Sequence, residues 1–222
     1  MSGTAEPADS DGPLPAVIPV FPLHRVLLLP QGLLPLNIFE PRYLAMTRDA
    51  LAGNQLIGMI QPQESAMHAP RPQLYRTGCV GRIVAANETD NGRILITLKG
   101  ICRFNVTAEI DTTTPYRQVQ ADYAPFSDDR ENDGERKADR ERLLKALRGY
   151  LERQNLPADW AAIEAAPNEA LVHSLAMICP FSAGEKQALL ESPDFAHRAQ
   201  LLITLLEMAL LERPDGAGRR LN

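Results

Sequence analysis

Phe39-Glu40-Pro41-Arg42-Tyr43 puts a carboxylate and a guanidinium two positions apart, the pair in this chain that most invites a catalytic reading. The local sequence assigns it another role. Pro41, with its fixed φ and missing N–H, suits a first helical turn, and Leu44, Thr47 and Leu51 follow at helical spacing before Gly53. A carboxylate just ahead of a helix N-terminus is favoured by the dipole and the free N–H groups there. Arg42 can then pair with Glu40 or clamp a loop carbonyl. Both residues are read as fold determinants.

The motifs of other common chemistry are missing from the sequence. The four histidines, His24, His68, His173 and His197, stand in unrelated contexts, with no His-Glu-x-x-His among them and no Gly-x-Ser-x-Gly elbow elsewhere. His68 lies in a proline-punctuated loop without a neighbouring ligand, and His173 beside the apolar stripe of its helix reads as a surface or interface residue. Neither Gly-x-x-x-x-Gly-Lys-Ser/Thr nor Gly-x-Gly-x-x-Gly occurs, so no phosphate cradle is written in the chain. Cys79, Cys102 and Cys179 are scattered in apolar contexts with no Cys-x-x-Cys pair, which fits buried free thiols rather than a zinc site or a disulfide framework. The residues point to no cofactor, no metal and no catalytic group.

The elements that would position any site fall into two texture classes. Before Phe126 the short apolar runs 26–29 and 33–36 are cut by Pro22, Pro30, Gly32 and Pro35, as expected of short strands or crossovers at turns. Stretches 56–61, 75–86, 93–106 and 116–123 are rich in Val, Ile, Thr and aromatics. With strands near 18 and 33 they make about six, the scale of a small barrel. Asn91-Gly92 predicts a two-residue type I′ hairpin in which Asp90 faces Arg93. That register places Cys79, Ile83, Ala85, Ile94, Ile96, Leu98, Cys102 and Phe104 on the barrel interior. Val80, Arg82, Val84, Leu95, Thr97, Lys99, Ile101 and Arg103 take the outer face. Gly100 is a natural bulge position that would flip everything beyond it.

After Phe126 a charge-rich run, 127–142, reads as linker and solvated helix start. Helical spacing follows at Leu143, Leu147, Tyr150 or Leu151, and Gln154, ending before Pro157. A second helix starts at Asn168 with Leu171, Val172, Leu175 and Ile178 inward. Ser182-Ala183-Gly184-Glu185 is a capping box, and Ser192-Pro193-Asp194 starts a helix whose stripe Leu202, Leu205, Leu206, Ala209 and Leu210 must be covered. The expectation is Leu205 against the helix of Leu171 and Leu175.

Composition limits the partners. The chain of 222 residues carries a formal net charge of −5, and neither half is basic, with 10 basic against 11 acidic groups up to residue 126 and 13 against 17 beyond it. Bulk charge therefore gives no support to a phosphate-binding surface. The first 16 residues are small and polar without a basic start or an apolar core, and read as a loose tail rather than a signal peptide. The apolar stretch 201–211 is far short of the ~20 residues that span a bilayer. The expectation is a cytoplasmic protein with no membrane contact.

Phe21-Pro22-Leu23, Leu29-Pro30, Leu34-Pro35-Leu36 and Phe39-Glu40-Pro41-Arg42-Tyr43, in that order, resemble the signature of the Lon protease N-terminal, substrate-binding domain. Gly78-Cys79-Val80-Gly81-Arg82-Ile83 and Leu98-Lys99-Gly100-Ile101-Cys102-Arg103-Phe104 resemble later strands of that family, and the likeness covers roughly residues 17 to 212. It implies an α+β protein, with a small PUA-like mixed β-barrel over 17–126 followed by an all-helical bundle over 127–222. Full-length Lon continues into ATPase and protease modules that this chain does not resemble, so the resemblance implies a stand-alone, ATP-independent binding module. Its partners would be peptide or unfolded-protein segments. The candidate surface is Val80, Val84, Leu95 and Ile101 rimmed by Arg82, Lys99 and Arg103, or else the groove between barrel and helices. The alternatives are that the helices simply cover those residues, that Arg82, Lys99 and Arg103 bind RNA as in PUA-like proteins, against the acidic balance, or that an enzyme site without a familiar motif is present.

Overall fold

The computed structural model describes residues 12–64, 71–130 and 138–211. Six strands come first, interrupted once: β1 (Val17–Pro22), β2 (Leu33–Ile38), helix α1 (Pro41–Ala52), β3 (Leu56–Ile60), β4 (Thr77–Glu88), β5 (Ile94–Ile110) and β6 (Arg117–Asp122). A 3-10 segment, Ala124–Arg130, leads into α2 (Arg140–Arg153), α3 (Trp160–Ala165), α4 (Asn168–Ile178), α5 (Ala183–Glu191) and α6 (Phe195–Leu211). This is the expected mixed sheet followed by helices. His68 lies outside the described residues.

The long strand β5 organises the sheet. Its first half pairs with β2 and β4, its second half with β4 and β6, and β6–β1–β3–β4 complete a ring of five strands in which only β1–β3 is parallel. β2 is bonded to β5 alone and stays outside the ring. Inside the ring lie Ile18, Val20, Ile60, Val80, Cys102, Phe104 and Val119, all buried. A five-stranded ring leaves little room for an aromatic. Gly58 and Gly78 supply it, because a Cβ on either would come within 3.0 Å or less of the Phe104 ring tip.

The hairpin expected at Asn91-Gly92 forms with a different register. Thr89, not Asp90, bonds Arg93, through Thr89 N–H to the Arg93 carbonyl at 2.8 Å, and only Gly92 takes a positive φ, of 76°. The three-residue loop, a type I turn closed by a left-handed glycine, is the other common solution for a twisted hairpin. The bulge at Gly100 also forms: Gly81 pairs with Gly100 but Val80 with Cys102, which leaves Ile101 over. Parity flips there. Ile83, Ile94, Ile96 and Leu98 belong with Cys79 to the cluster shared with the helices, whereas Cys102 and Phe104 turn into the ring with Val80, and Ala85 is exposed. The two glycines face each other because the buried crossover through Leu27, Leu28 and Leu29 lies on them. A Cβ on Gly100 would stand 2.1 Å from the Leu29 carbonyl oxygen.

One hydrophobic cluster runs from Phe21, Leu28 and Tyr43 through Leu98 to Leu143, Leu171, Leu202 and Leu206, so packing does not stop where the texture changes at residue 127. Buried amides add to the joint: Gln61 Nε2 donates to the Ala183 carbonyl and to Gln187, and Gln187 Nε2 donates to the Thr77 carbonyl, each at 3.1 Å. The capping box at Ser182 forms in full, and Asp194 caps α6 through the His197 N–H. Two helix details differ from expectation. Ile178 is 78 % exposed rather than inward, because α4 ends with it, and α3, capped by Asp159, was not foreseen. Residues 12–16 are docked rather than loose: the Ala16 carbonyl accepts from Ala121 N–H, the Pro15 carbonyl from Tyr123 Oη, and Leu14 packs on the ring cluster. Residues 1–11 of the expected tail lie outside the described residues.

All three cysteines are buried and free. Burial pushes the Cys102 thiol up to about 12 and Cys179 to about 11, with Cys79 raised well above its ordinary value for the same first reason. Cys79 and Cys102 were expected on one face. The bulge puts them on opposite sides of the sheet.

Candidate functional site

Strand β2 alternates cleanly. Leu34, Leu36 and Ile38 turn toward the large cluster, and Leu33, Pro35 and Asn37 face solvent. Pairing carries this outward face across the arm: Leu33 lies beside Lys99, Pro35 beside Thr97 and Asn37 beside Leu95, and Ala85 and Asn87 of β4 flank Thr97 and Leu95 in turn. Leu33 and Phe39 are each 60 % exposed, Val84 49 % and Leu95 44 %. Val84 is the residue left over at the register shift between Ile83 and Ala85. Arg93 holds its guanidinium 5.6 Å from the Phe39 ring centre. Large apolar side chains grouped on an exposed sheet face, with cations at the margin, are the signature of a surface that meets another molecule.

At the edge of β2 this face runs into a groove of about 590 Å³ lined by Leu33, Leu34, Pro35, Pro167, Met177 and Ile178. Helix α4 sits close by, since a Cβ on Gly32 would stand 2.5 Å from the Met177 sulfur. His173 also lines the groove but is buried and tied inward, its Nε2 accepting from Arg198 at 3.1 Å. An arginine only donates, so that nitrogen carries no proton. It is not available as a surface base.

Of the seven residues expected on the binding surface, Val84, Leu95 and Lys99 are exposed on or beside it. Val80 and Ile101 are buried in the ring cluster, and Arg82 is half-buried, donating to the Asn54 carbonyl at 3.1 Å. Arg103 is the largest departure. Its Nε and Nη2 grip both oxygens of Asp129 at 2.8 Å, its Nη1 donates to the carbonyls of Leu190 and Ser192, and its guanidinium lies 4.6 Å from the Phe126 ring centre. It clamps β5 to the 3-10 segment and to the end of α5. Leu33 and Phe39 were missed as surface residues, although the proline inside 33–38 was the available signal: a strand holding proline belongs at an edge.

The motif around Glu40 builds a corner. Phe21 and Tyr43 pack with ring centres 4.1 Å apart, Arg42 bonds Glu40 through Nε and Nη2 at 3.0 and 2.8 Å, and its guanidinium lies 4.5 Å over Tyr43. Glu40 makes no cap bond, so pairing is the role realised here. Pro30 is buried, and Leu23 N–H bonds the Ile60 carbonyl at 3.0 Å beside Pro22. A cavity of about 470 Å³ opens here between Arg42, Arg71, Arg117, Tyr43 and Tyr116. Its cations are already matched. Partial burial would raise the Glu109 carboxyl, but bonds from Arg117 and Arg71 outweigh that and hold it below its usual range.

A family model described as the ATP-dependent protease La (LON) substrate-binding domain matches residues 17–208. The chain belongs to this family. Among curated relatives it is similar to Lon protease 2 of Myxococcus xanthus, 30 % identical over 201 residues covering 87 % of this chain and 24 % of that protein. It is also similar to the Lon protease of Dictyoglomus thermophilum, 26 % identical over 214 residues, 90 % of this chain and 25 % of that one. The Lon-domain chain thus spans about a quarter of the length of these relatives. Solved structures share its fold, two of them as follows. The Lon N-terminal domain protein from Xanthomonas campestris superimposes with a TM-score of 0.59 at 24 % identity, covering 85 % of this chain and 97 % of that one. The N-terminal domain of Mycobacterium avium complex Lon protease gives 0.60 at 16 %, covering 88 % and 98 %. In this Lon domain, the corner built by Phe21, Glu40, Arg42 and Tyr43 holds α1 in place directly after β2 and Phe39.

Proposed function

We propose that this Lon-family domain is a non-enzymatic module that holds extended or unfolded protein segments on the outer face of β2, β5 and β4. The observation that carries the reading is the grouping of Leu33, Phe39, Val84 and Leu95, four of the nine large apolar side chains exposed among the described residues, on one arm of the sheet. Family membership supports substrate binding as the role, and unfolded chains are the partners that offer such a face unburied apolar groups. The described site offers contact area and cations, with no assembled nucleophile and base. The RNA reading loses its main cation, since Arg103 is sequestered by Asp129 and two carbonyls.

The test is fluorescence anisotropy with a permanently unfolded protein, reduced and carboxymethylated α-lactalbumin. The combined Leu33→Ser, Phe39→Ser and Leu95→Ser variant should bind at least about tenfold more weakly, as expected when a cluster of apolar anchors is removed. Met208→Ser, on exposed α6 surface, should not change the affinity. Equal binding by the triple variant and the wild type would refute the placement.

A further inference from the structure

Ring closure leaves β2 as the one strand, among the described residues, that is bonded along one side only over its whole length. Which of its backbone groups point outward follows from the ladder. The Gly100 N–H donates to the Gly32 carbonyl at 2.9 Å, and in an antiparallel pair bonded positions alternate, so Leu34, Leu36 and Ile38 spend their N–H and C=O groups on β5. On the other side of β5, the Thr89 to Arg93 bond fixes Arg93, Leu95 and Thr97 as the residues that bond β4, which agrees. Leu33, Pro35 and Asn37 therefore direct their backbone groups away from the sheet. Among the described residues no hydrogen bond reaches these groups. Two N–H and three C=O groups remain, because Pro35 has no N–H; a proline at an outward position is how a natural edge limits uncontrolled pairing.

We infer that β2 is a docking edge onto which an extended client segment adds as a seventh, antiparallel strand, bonding Leu33, Pro35 and Asn37 through its main chain. This rests on the binding reading above and specifies its mode. Four strand steps at ~3.4 Å give an edge about 14 Å long, enough for a segment of about five residues. The groove between β2 and α4 receives alternate side chains of the segment on Leu33, Pro35, Met177 and Ile178, so those side chains are apolar. Charge selects further. Lys99 beside Leu33, and Arg93 next to Phe39, stand at the two ends of the edge, and among the described residues neither is paired with a carboxylate. The preferred occupant is an extended apolar segment bearing an acidic residue near its ends.

The probe is a synthetic decapeptide of alternating valine and threonine with an aspartate near each end. NMR-detected amide exchange of the wild-type chain should show Leu33 and Asn37 slowing at least about tenfold on saturation with it. Asn37→Pro, which deletes an outward donor at an edge position, should weaken binding about tenfold, while Asn37→Ala stays within about twofold of wild type. Replacing both aspartates by lysine should weaken binding severalfold. Saturable binding of the decapeptide without protection of either amide, and with Asn37→Pro unaffected, would overturn strand addition while leaving the binding reading intact. Failure of both the decapeptide and unfolded α-lactalbumin to bind would remove the reading itself.

Discussion

Arg103→Met is expected to lower the unfolding free energy by about 3–5 kcal/mol, the usual cost of breaking a buried ion pair from one side. The pair is almost free of solvent, with 5 % of each side chain exposed. Removing the guanidinium strands the Asp129 carboxylate and leaves the Leu190 and Ser192 carbonyls without their donor. Asp129 also accepts the Arg103 backbone N–H at 2.9 Å, a bond the variant keeps, so the loss falls on the side-chain contacts that tie the 3-10 segment and the end of α5 to β5. The double variant Arg103→Met with Asp129→Leu should recover much of the loss, because the unpaired charge is gone. Urea denaturation followed by circular dichroism measures both. A single-variant loss under about 1 kcal/mol would mean the clamp contributes nothing beyond a surface pair.

The second large effect lies in the helices. Leu205→Asp should prevent folding, since it buries a charge with no partner, and Leu205→Ala should cost about 2–5 kcal/mol, the range for a leucine cavity. Leu205 is buried within the chain, as expected, in the cluster that also holds Leu171. Helix α4, which carries Leu171 and Leu175, is among the helices that α6 touches. Helix α6 packs most extensively along α2, and less against α4 and α5; Arg142 bridges to Glu207, and a Cβ on Gly149 would stand 3.1 Å from Leu210. Urea titrations at two protein concentrations settle the point. A folded Leu205→Asp monomer derived from a wild-type dimer would show the stripe to be an interface between copies.

Local signals in the sequence were legible and long-range ones were not. Strand and helix positions, the Ser182 capping box and the Asp194 cap are written in residues a few places apart, where propensity and turn chemistry decide. The face assignments depended on counting through a turn and a bulge, and each slip of one residue inverts a strand. Asn91-Gly92 closed a three-residue loop, and Ile101 dropped out of register, so Val80 and Ile101 went inside. Arg103 reads as a surface cation because its partner, Asp129, lies in a charge-rich run with the texture of a linker. Only folding brings the two together. The site was half legible for the same reason: Val84 and Leu95 sit near the hairpin, whereas Leu33 joins them through pairing across a separation of more than sixty residues.

The placement of the client is tested most directly by photo-crosslinking. A benzophenone amino acid is installed at position 95, and in separate chains at positions 33 and 208, and each is irradiated with labelled, reduced and carboxymethylated α-lactalbumin. Strong adducts from positions 95 and 33, with none above background from 208, are the predicted result; adducts from 208 with positions 95 and 33 silent would contradict it.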